Sequence, residues 1–169
     1  DLLGPAMKVQ EELMGIPSFD TPDYSELFSE EKEMVGKLKK AFLMVAGAAV
    51  QKYGMDLDAH QQLLMAAADM LIEIYVAEST VLRTEKLAKK VGEDKAKEQI
   101  AMAKLYLYKA VDVVAQKGKE SIISFAEGDE QRRMLMGLRR FTKYTNMPNI
   151  VGLRETITTK LVAENSYCF

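Results

Sequence analysis

The residues from Gln62 to Leu87 form a long run without proline or glycine, and this run constrains the fold more than any other part of the chain. Its first half is apolar on nearly every side of a helical projection, whereas its second half carries acids and Arg83. An all-round apolar surface is typical of a buried helix, and a charged half is typical of contact with water. The sequence therefore predicts one helix, opening at Asp56 or Asp58, that is buried among other helices at one end and solvated at the other.

Three further segments have apolar residues at steps of three and four positions, which indicates amphipathic helices. The first is predicted to begin at the N-cap residue Ser29 and to end at Gly54. The next begins near Glu93, and Gly118 is expected to interrupt it. The last of the three begins at the predicted N-cap Asp129.

Shorter segments complete the predicted architecture. Ala6–Met14 and Ile150–Ala163 have the length and pattern of short helices, and Gly15–Ser25 has the composition of a loop or linker. The prediction is an all-α fold: an antiparallel, up-and-down four-helix bundle with an N-terminal extension and a short C-terminal helix. We place the domain at residues 29–169 and interpret residues 1–28 as a linker or a remnant of an upstream domain.

The composition excludes several classes of protein. Hydrophobic residues make up 48% of the chain and charged residues 28%, as in a soluble globular domain, and the net charge of -2 gives no field that demands nucleic acid or an anionic membrane. No apolar run is long enough to span a bilayer.

Cys168 is the single cysteine, so an internal disulfide is excluded and a cytoplasmic location is expected. Apolar Leu2, Leu3 and Met7, which have no visible core to join, indicate a piece of a longer polypeptide.

No residue is predicted to be catalytic, to bind a cofactor or to bind a metal. A di-metal site in a bundle needs paired Glu-x-x-His motifs, and His60 is the only histidine, so we expect it to face solvent. No glycine-rich phosphate loop is present. Cys168 lies next to the last residue, where an inert thiol is expected.

The charged residues of the long apolar run allow two interpretations. Asp69 and Glu73 are one turn apart and share a helix face. One of the run's acids could be a buried functional group, but pairing with Lys or Arg of a neighbouring helix, or exposure to water, is favoured. We expect Arg83 to form an ion pair with Glu78 or Glu85.

Two other segments have alternative interpretations. The first consists of the basic residues near the C-terminus, which are Arg132, Arg133, Arg139, Arg140 and Lys143, with Phe141 and Tyr144 nearby. These residues could form a site for nucleic acid or CoA phosphates. We favour a solvated face or a surface that docks an acidic partner. The segment Lys104–Lys119 has the pattern either of a helix on a membrane surface or of a helix facing a core, and the core is favoured.

The long run also carries a recognisable pattern: Ala68-Asp69, then Ile72-Glu73-Ile74-Tyr75, then Arg83 two turns later. This pattern resembles one helix in the C-terminal helical domain of the very-long-chain acyl-CoA dehydrogenases, and a bacterial member is favoured. The order of the parts, with an acidic lead-in and basic last helices, is also similar. By this resemblance Ala68, Asp69, Tyr75 and Arg83 are structural residues.

The resemblance implies a domain without chemistry of its own. The parent enzyme would bind FAD and carry out α,β-dehydrogenation of fatty acyl-CoA in β-oxidation, with its flavin-binding and catalytic residues outside this chain. The domain would pack on the upstream dehydrogenase core and stabilise its dimer, so a homo-oligomer is expected. The acidic lead-in lacks a basic amphipathic helix, so membrane attachment is not expected.

Two functions remain as alternatives to this interpretation. The chain could be a stand-alone interaction bundle in which the basic fourth helix docks a partner. It could also be an acyl- or lipid-binding bundle, which predicts an apolar cavity among Met65, Met70, Phe42 and Leu107.

Overall fold

The computed structural model describes residues 2–15 and 24–169, which form helices and turns but no strand. The α-helices are α1 (Leu3–Met14), α2 (Ser29–Tyr53), α3 (Gln61–Val91), α4 (Lys97–Phe125), α5 (Gly128–Phe141) and α6 (Ile150–Glu164). Short 3₁₀ helices, Gly54–Ala59 and Asp94–Ala96, precede α3 and α4. The all-α class is confirmed, while the up-and-down order of a four-helix bundle stays a prediction.

The core lies between α2, α3 and α4, and α5 covers it on the side of α2 and α4. The helices α3 and α4 share the most extensive contact. Met70, Leu107 and Val114 are fully buried there, together with Leu38 of the predicted apolar stripe of α2. Phe42 of that stripe is only partly buried and packs at the edge of the core.

The predicted N-caps are wrong. Ser29 is the first residue of α2, and its hydroxyl donates to the carbonyl of Glu26. The residue before it, Phe28, has a left-handed backbone with φ of 65°, and its ring is buried with Val81 and Ala103. Burial of this ring therefore fixes the beginning of α2 where the sequence pattern indicated a hydroxyl cap. Asp56 and Asp58 lie in the first 3₁₀ helix, and Asp129 lies inside the first turn of α5.

The predicted break at Gly118 is also wrong, because α4 continues through this residue to Phe125. A Cβ atom at position 118 would lie 2.8 Å from Cδ1 of Leu138. The glycine therefore allows α5 to approach α4 closely, and burial of Leu138 offsets the helix propensity of about 1 kcal/mol that glycine loses.

The helices α1 and α6 flank the core. Ala6 and Val9 of α1 are buried against α2, whereas Leu3 and Met7 are exposed, so only part of the opening apolar segment lacks a core. No residue of α6 is fully buried, and this helix packs on α4. The division at residue 28 stays a prediction. Residues 16–23 of the predicted loop lie outside the described part of the chain.

Candidate interaction surface

The acids of α3 are engaged by neighbouring helices. Asp69 forms an ion pair of 3.1 Å with Lys117 of α4, and Glu78 forms one of 2.6 Å with Lys39 of α2. The favoured interpretation, pairing with a base of a neighbouring helix, is confirmed for Asp69 and Glu78 but not for Glu73. These pairs lie on opposite flanks of α3, toward α4 and toward α2.

Glu73, between these two acids, contacts a tyrosine instead of a base. The hydroxyl of Tyr106 on α4 donates to its carboxylate at 2.9 Å. Burial, and then this hydrogen bond to a carboxylate, raise the pKa of Tyr106 to about 12. The phenol therefore stays protonated near neutral pH and acts as a donor that links α3 to α4.

The ion pair expected for Arg83 is wrong, because both predicted acids are paired with lysines. Glu85 is buried and contacts Lys32 and Lys89, each at 2.7 Å. Hydrogen bonds from Lys32 and Lys89 lower the pKa of Glu85. Arg83 is exposed and makes no ion pair within the described residues.

The side of α3 that faces away from α2 and α4 is exposed and uncharged from Leu64 to Leu82. We call this surface the outer α3 face; its large side chains are Leu64, Met65, Leu71, Ile72, Tyr75 and Leu82. Their exposed fractions run from 37% at Leu64 to 69% at Tyr75. Ala68 and Ser79 are the other exposed residues in this stretch. Within residues 2–15 and 24–169, nothing covers the outer α3 face.

The sequence-based expectation that other helices surround the first half of α3 is therefore wrong. The helix contacts α2 and α4 with one side only, so the second apolar side of its sequence meets solvent. The pattern correctly indicated apolar surface all round. It could not indicate which side the domain itself covers.

The residues of the family pattern lie around this surface. Ala68 and Tyr75 belong to the outer α3 face, and Arg83 is exposed just beyond its end. Asp69 lies at its edge, paired with Lys117. Their structural role stays a prediction.

The arginines of α5 lie on a charged surface, in contrast to the uncharged outer α3 face. Arg132, Arg133, Arg139 and Arg140 are all exposed, and Lys143 follows them. Phe141 is buried in the core, and Tyr144 is partly buried, with burial raising its pKa well above the ordinary value. The two aromatic rings therefore do not form a stacking platform beside the arginines. The exposure agrees with a solvated face, while docking of an acidic partner stays a prediction.

The segment Lys104–Lys119 lies entirely within α4, and its apolar residues Leu107, Val111 and Val114 are buried in the core. The interpretation as a core-facing helix is confirmed, and the membrane-surface alternative is wrong. Among the described helices, none combines the length and the hydropathy that crossing a membrane requires.

The predicted acyl cavity is also wrong. Met70 and Leu107 are fully buried in the packed core, while Met65 is 66% exposed on the outer α3 face, so these side chains do not line one cavity. A surface cleft of about 530 Å³ includes Leu13 and Met44. Another, of about 370 Å³, lies between α3 and α4, where Met65 and Asp69 line it without Met70, Phe42 or Leu107.

The remaining candidate side chains do not assemble a chemical site. His60 is partly buried, with its ring centroid 3.7 Å from that of Tyr53, so its predicted solvent-facing position is only partly right. Cys168 is a free thiol and partly covered. In the part of the chain that the structure describes, no group of three or more His, Cys, Asp or Glu side chains is arranged to hold a metal ion.

The fold and its surface define an all-α domain in which the described residues leave one side of α3 uncovered. Residues 37–140 match the family described as the C-terminal domain of acyl-CoA dehydrogenase, and this match includes more than half of the chain. The chain belongs to this family. The family predicted from Ala68, Asp69, Tyr75 and Arg83 is thereby confirmed.

Two relatives show how the length of this chain compares with that of similar proteins. The chain is 36% identical over 159 residues to a probable acyl-CoA dehydrogenase of Bacillus subtilis (strain 168), covering 94% of this chain and 26% of that protein. It also resembles the crystal structure of an acyl-CoA dehydrogenase complexed with FAD from Bacillus anthracis, with a TM-score of 0.90 and 36% identity, covering 99% of this chain and 28% of that one. The chain thus spans little more than a quarter of either relative.

Proposed function

We propose that this chain is the non-catalytic C-terminal domain of an FAD-dependent acyl-CoA dehydrogenase. The complete polypeptide would carry out α,β-dehydrogenation of fatty acyl-CoA in β-oxidation. The observation that carries the proposal is the family match over residues 37–140, together with a 36% identical relative of which the chain covers only 26%. The active site would lie in the part of the polypeptide that corresponds to the remainder of that relative.

The chemistry of the described residues supports a role without catalysis. The acids of α3 are engaged by Lys39, Lys117 and Tyr106, and no histidine other than His60 exists to activate a nucleophile. Arg133 and Arg140 of α5 line the cleft of about 530 Å³, but this cleft is open and its surface is mainly apolar, so the residues present do not fit a flavin either. We therefore assign FAD to the rest of the polypeptide.

The role of the domain would be to pack on the dehydrogenase core and stabilise its dimer in the cytoplasm. The contiguous apolar surface on the outer α3 face supports this role, because contiguous apolar patches on soluble domains mark contacts with other surfaces. The enzyme would be a homo-oligomer through its core.

The complete coding sequence tests this proposal. The DNA on both sides of this segment is read, and the complete product is purified. We expect a yellow protein that contains FAD and oxidises acyl-CoA in the presence of an electron acceptor. A reading frame that starts directly before Asp1, or a complete product without flavin, would contradict the proposal.

A truncated form of the same protein tests the absence of catalysis. Removal of residues 29–169 should leave FAD and turnover at each surviving active site, but lower the thermal stability of the enzyme and weaken its dimer. Loss of turnover in a truncated protein that still holds FAD and remains dimeric would show that this domain supplies a catalytic group.

The four exposed arginines of α5 favour a second candidate, a stand-alone interaction bundle. That function predicts salt-sensitive binding of the isolated chain to an acidic polypeptide. The variants Arg132→Glu and Arg139→Glu should abolish such binding without loss of helix content. If the isolated chain does not bind acidic polypeptides at low salt, the second candidate is eliminated.

A further inference from the structure

The outer α3 face has the composition of a buried surface but is uncovered. We propose that this face is where the dehydrogenase core of the same polypeptide docks. The inference rests on the function proposed above and adds the surface through which the domain would act. It is carried by the apolar area, the position of the nearby charges and the size of the contact.

The apolar area is large for one helix. Leu64, Met65, Leu71, Ile72, Tyr75 and Leu82 are each at least 37% exposed. Together they expose on the order of 600 Å², which is at the upper end of the largest apolar patches on ordinary monomers. A patch of this size on a single helix is typical of a contact surface.

The charges beside the outer α3 face would not oppose docking. Asp69 and Glu78 lie on its two flanks, and each is already paired with a lysine of the neighbouring helix. The exposed residues from Leu64 to Leu82 include no acid or base. Covering this face therefore removes no unpaired charge from water, which is the main cost of burying a surface.

The size of the contact distinguishes the core from a second copy of this domain. Two outer α3 faces packed together would bury about 1,200 Å² in total, which is at the lower limit of roughly 1,200–2,000 Å² for stable contacts between separate chains and below the roughly 2,000–5,000 Å² of obligate homodimers. The same area lies within the range of roughly 600–1,500 Å² for contacts between domains of one chain. A linker also holds an attached domain at an effective concentration of about a millimolar, so a modest contact suffices.

The partner that covers the outer α3 face must also be large and must lie next to this domain. The relative from Bacillus subtilis has about three quarters of its length outside the region that this chain matches. The exposed face of α5 is a poorer place for the same contact, because docking there would strip water from Arg132, Arg133, Arg139 and Arg140. The observations therefore favour the outer α3 face and the core of the same polypeptide.

Cysteine labelling of the complete protein tests the inference. Tyr75 on the outer α3 face and Met136 on α5 are both 69% exposed in this structure, so Tyr75→Cys and Met136→Cys form a matched pair. Each variant is treated with an uncharged maleimide, and labelling is located by peptide mass spectrometry. Rates are divided by those of the same site in denaturant. FAD content reports that each variant has folded.

We expect labelling at position 75 to be at least about tenfold slower than at position 136, because a docked face is reached only through local opening. The Ile72→Cys variant, at a residue that is 58% exposed, should give the same protection and replaces Tyr75→Cys if that variant fails to bind FAD. Protection at both positions 72 and 75 supports the inference.

Other outcomes overturn it. Equal rates at positions 75 and 136 in a protein that contains FAD would show that the face is open, although the proposed function would stand. Protection that disappears on dilution to the monomer would assign the face to a second copy. Protection that appears only with phosphatidylglycerol vesicles would assign it to a membrane. A complete product without FAD would instead contradict the proposed function.

Discussion

The outer sides of α3 and α5 differ in almost every property. On α5, arginines face solvent and Met134, Leu138 and Phe141 face the core, as expected for a helix at the edge of a protein in water. On α3, both sides are apolar from Leu64 to Leu82. The difference teaches that α5 turns mainly charged side chains to solvent, with Met136 among them, while α3 has an apolar surface that is suited to a neighbour on each side.

The largest expected effect comes from comparing a leucine of the buried core with a leucine of the outer α3 face. Leu107→Ala removes a fully buried side chain of α4 and should destabilise the 169-residue chain by about 2–5 kcal/mol. Leu71→Ala, at a residue that is 51% exposed, should cost less than about 1 kcal/mol. Urea unfolding followed by circular dichroism measures both. Equal losses would mean that the outer α3 face is covered within the isolated chain.

Placing a carboxylate on the outer α3 face, and another on the exposed side of α5, tests the same comparison in the complete protein. Ile72→Glu should lower its stability by about 2–3 kcal/mol, because docking would bury an unpaired carboxylate. Met136→Glu, surrounded by the arginines of α5, should change stability by less than about 0.5 kcal/mol. Thermal unfolding with FAD fluorescence as the signal compares them. In the isolated chain, both substitutions should be nearly neutral, and a large loss from Ile72→Glu there would contradict docking as the cause.

A smaller effect concerns the inner, charged part of α3. Glu85→Gln removes hydrogen bonds from Lys32 and Lys89 and should cost the chain about 1–2 kcal/mol at pH 7. Because the folded state lowers the pKa of Glu85 below the ordinary value of 4.5, its stabilisation is present above that pH and is lost as the pH falls through the lowered pKa.

Urea unfolding at several pH values measures this dependence. The gap between the native chain and Glu85→Gln should stay constant from pH 7 to about pH 5 and close at lower pH. Glu155→Gln, at an exposed residue of α6, is the control and should show no gap. A gap that widened toward acidic pH would contradict the assigned direction of the shift.

The smallest effect is expected on the outer side of α5. Arg140→Gln should change the unfolding free energy by less than about 0.5 kcal/mol, since the guanidinium group is exposed. Chemical denaturation at low and high salt measures this. A loss above about 1 kcal/mol would show that α5, too, depends on contacts beyond those described.

Hydrophobic periodicity predicted the main helices well, because α2, α3, α4 and α5 each turn an apolar stripe to a common core. It located α2, α3 and α4, and their caps and breaks were the errors. Ser29 was predicted as a cap, but the buried ring of Phe28 fixes the start of α2. Gly118 was predicted as a break, but Leu138 packs against it. Both errors arise from tertiary contacts, which a local pattern does not contain.

The candidate surface was harder to predict for the same reason. Asp69, Tyr75 and Arg83 were selected from a family pattern, and their surroundings depend on which helices lie beside α3. The partner of Arg83 was wrong because Lys32 and Lys89 reach Glu85, and Lys39 reaches Glu78. The exposure of Tyr75 had one signal in the sequence: Asp69, Glu73 and Glu78 leave one side of this apolar helix uncharged from Leu64 to Leu82, and such a helix needs more neighbours than one small bundle provides.

The open side of α3 also has a consequence for synthesis of the complete enzyme. Domains fold from the N-terminus during translation at about 5–20 residues per second, so on the proposed arrangement this domain emerges after the core. About 10–30 seconds then separate the completed core from the completed helical domain. During that interval the matching surface of the core would be exposed, whereas α3 would meet its neighbour soon after it forms. Protection against aggregation at the ribosome would therefore be needed mainly by the core.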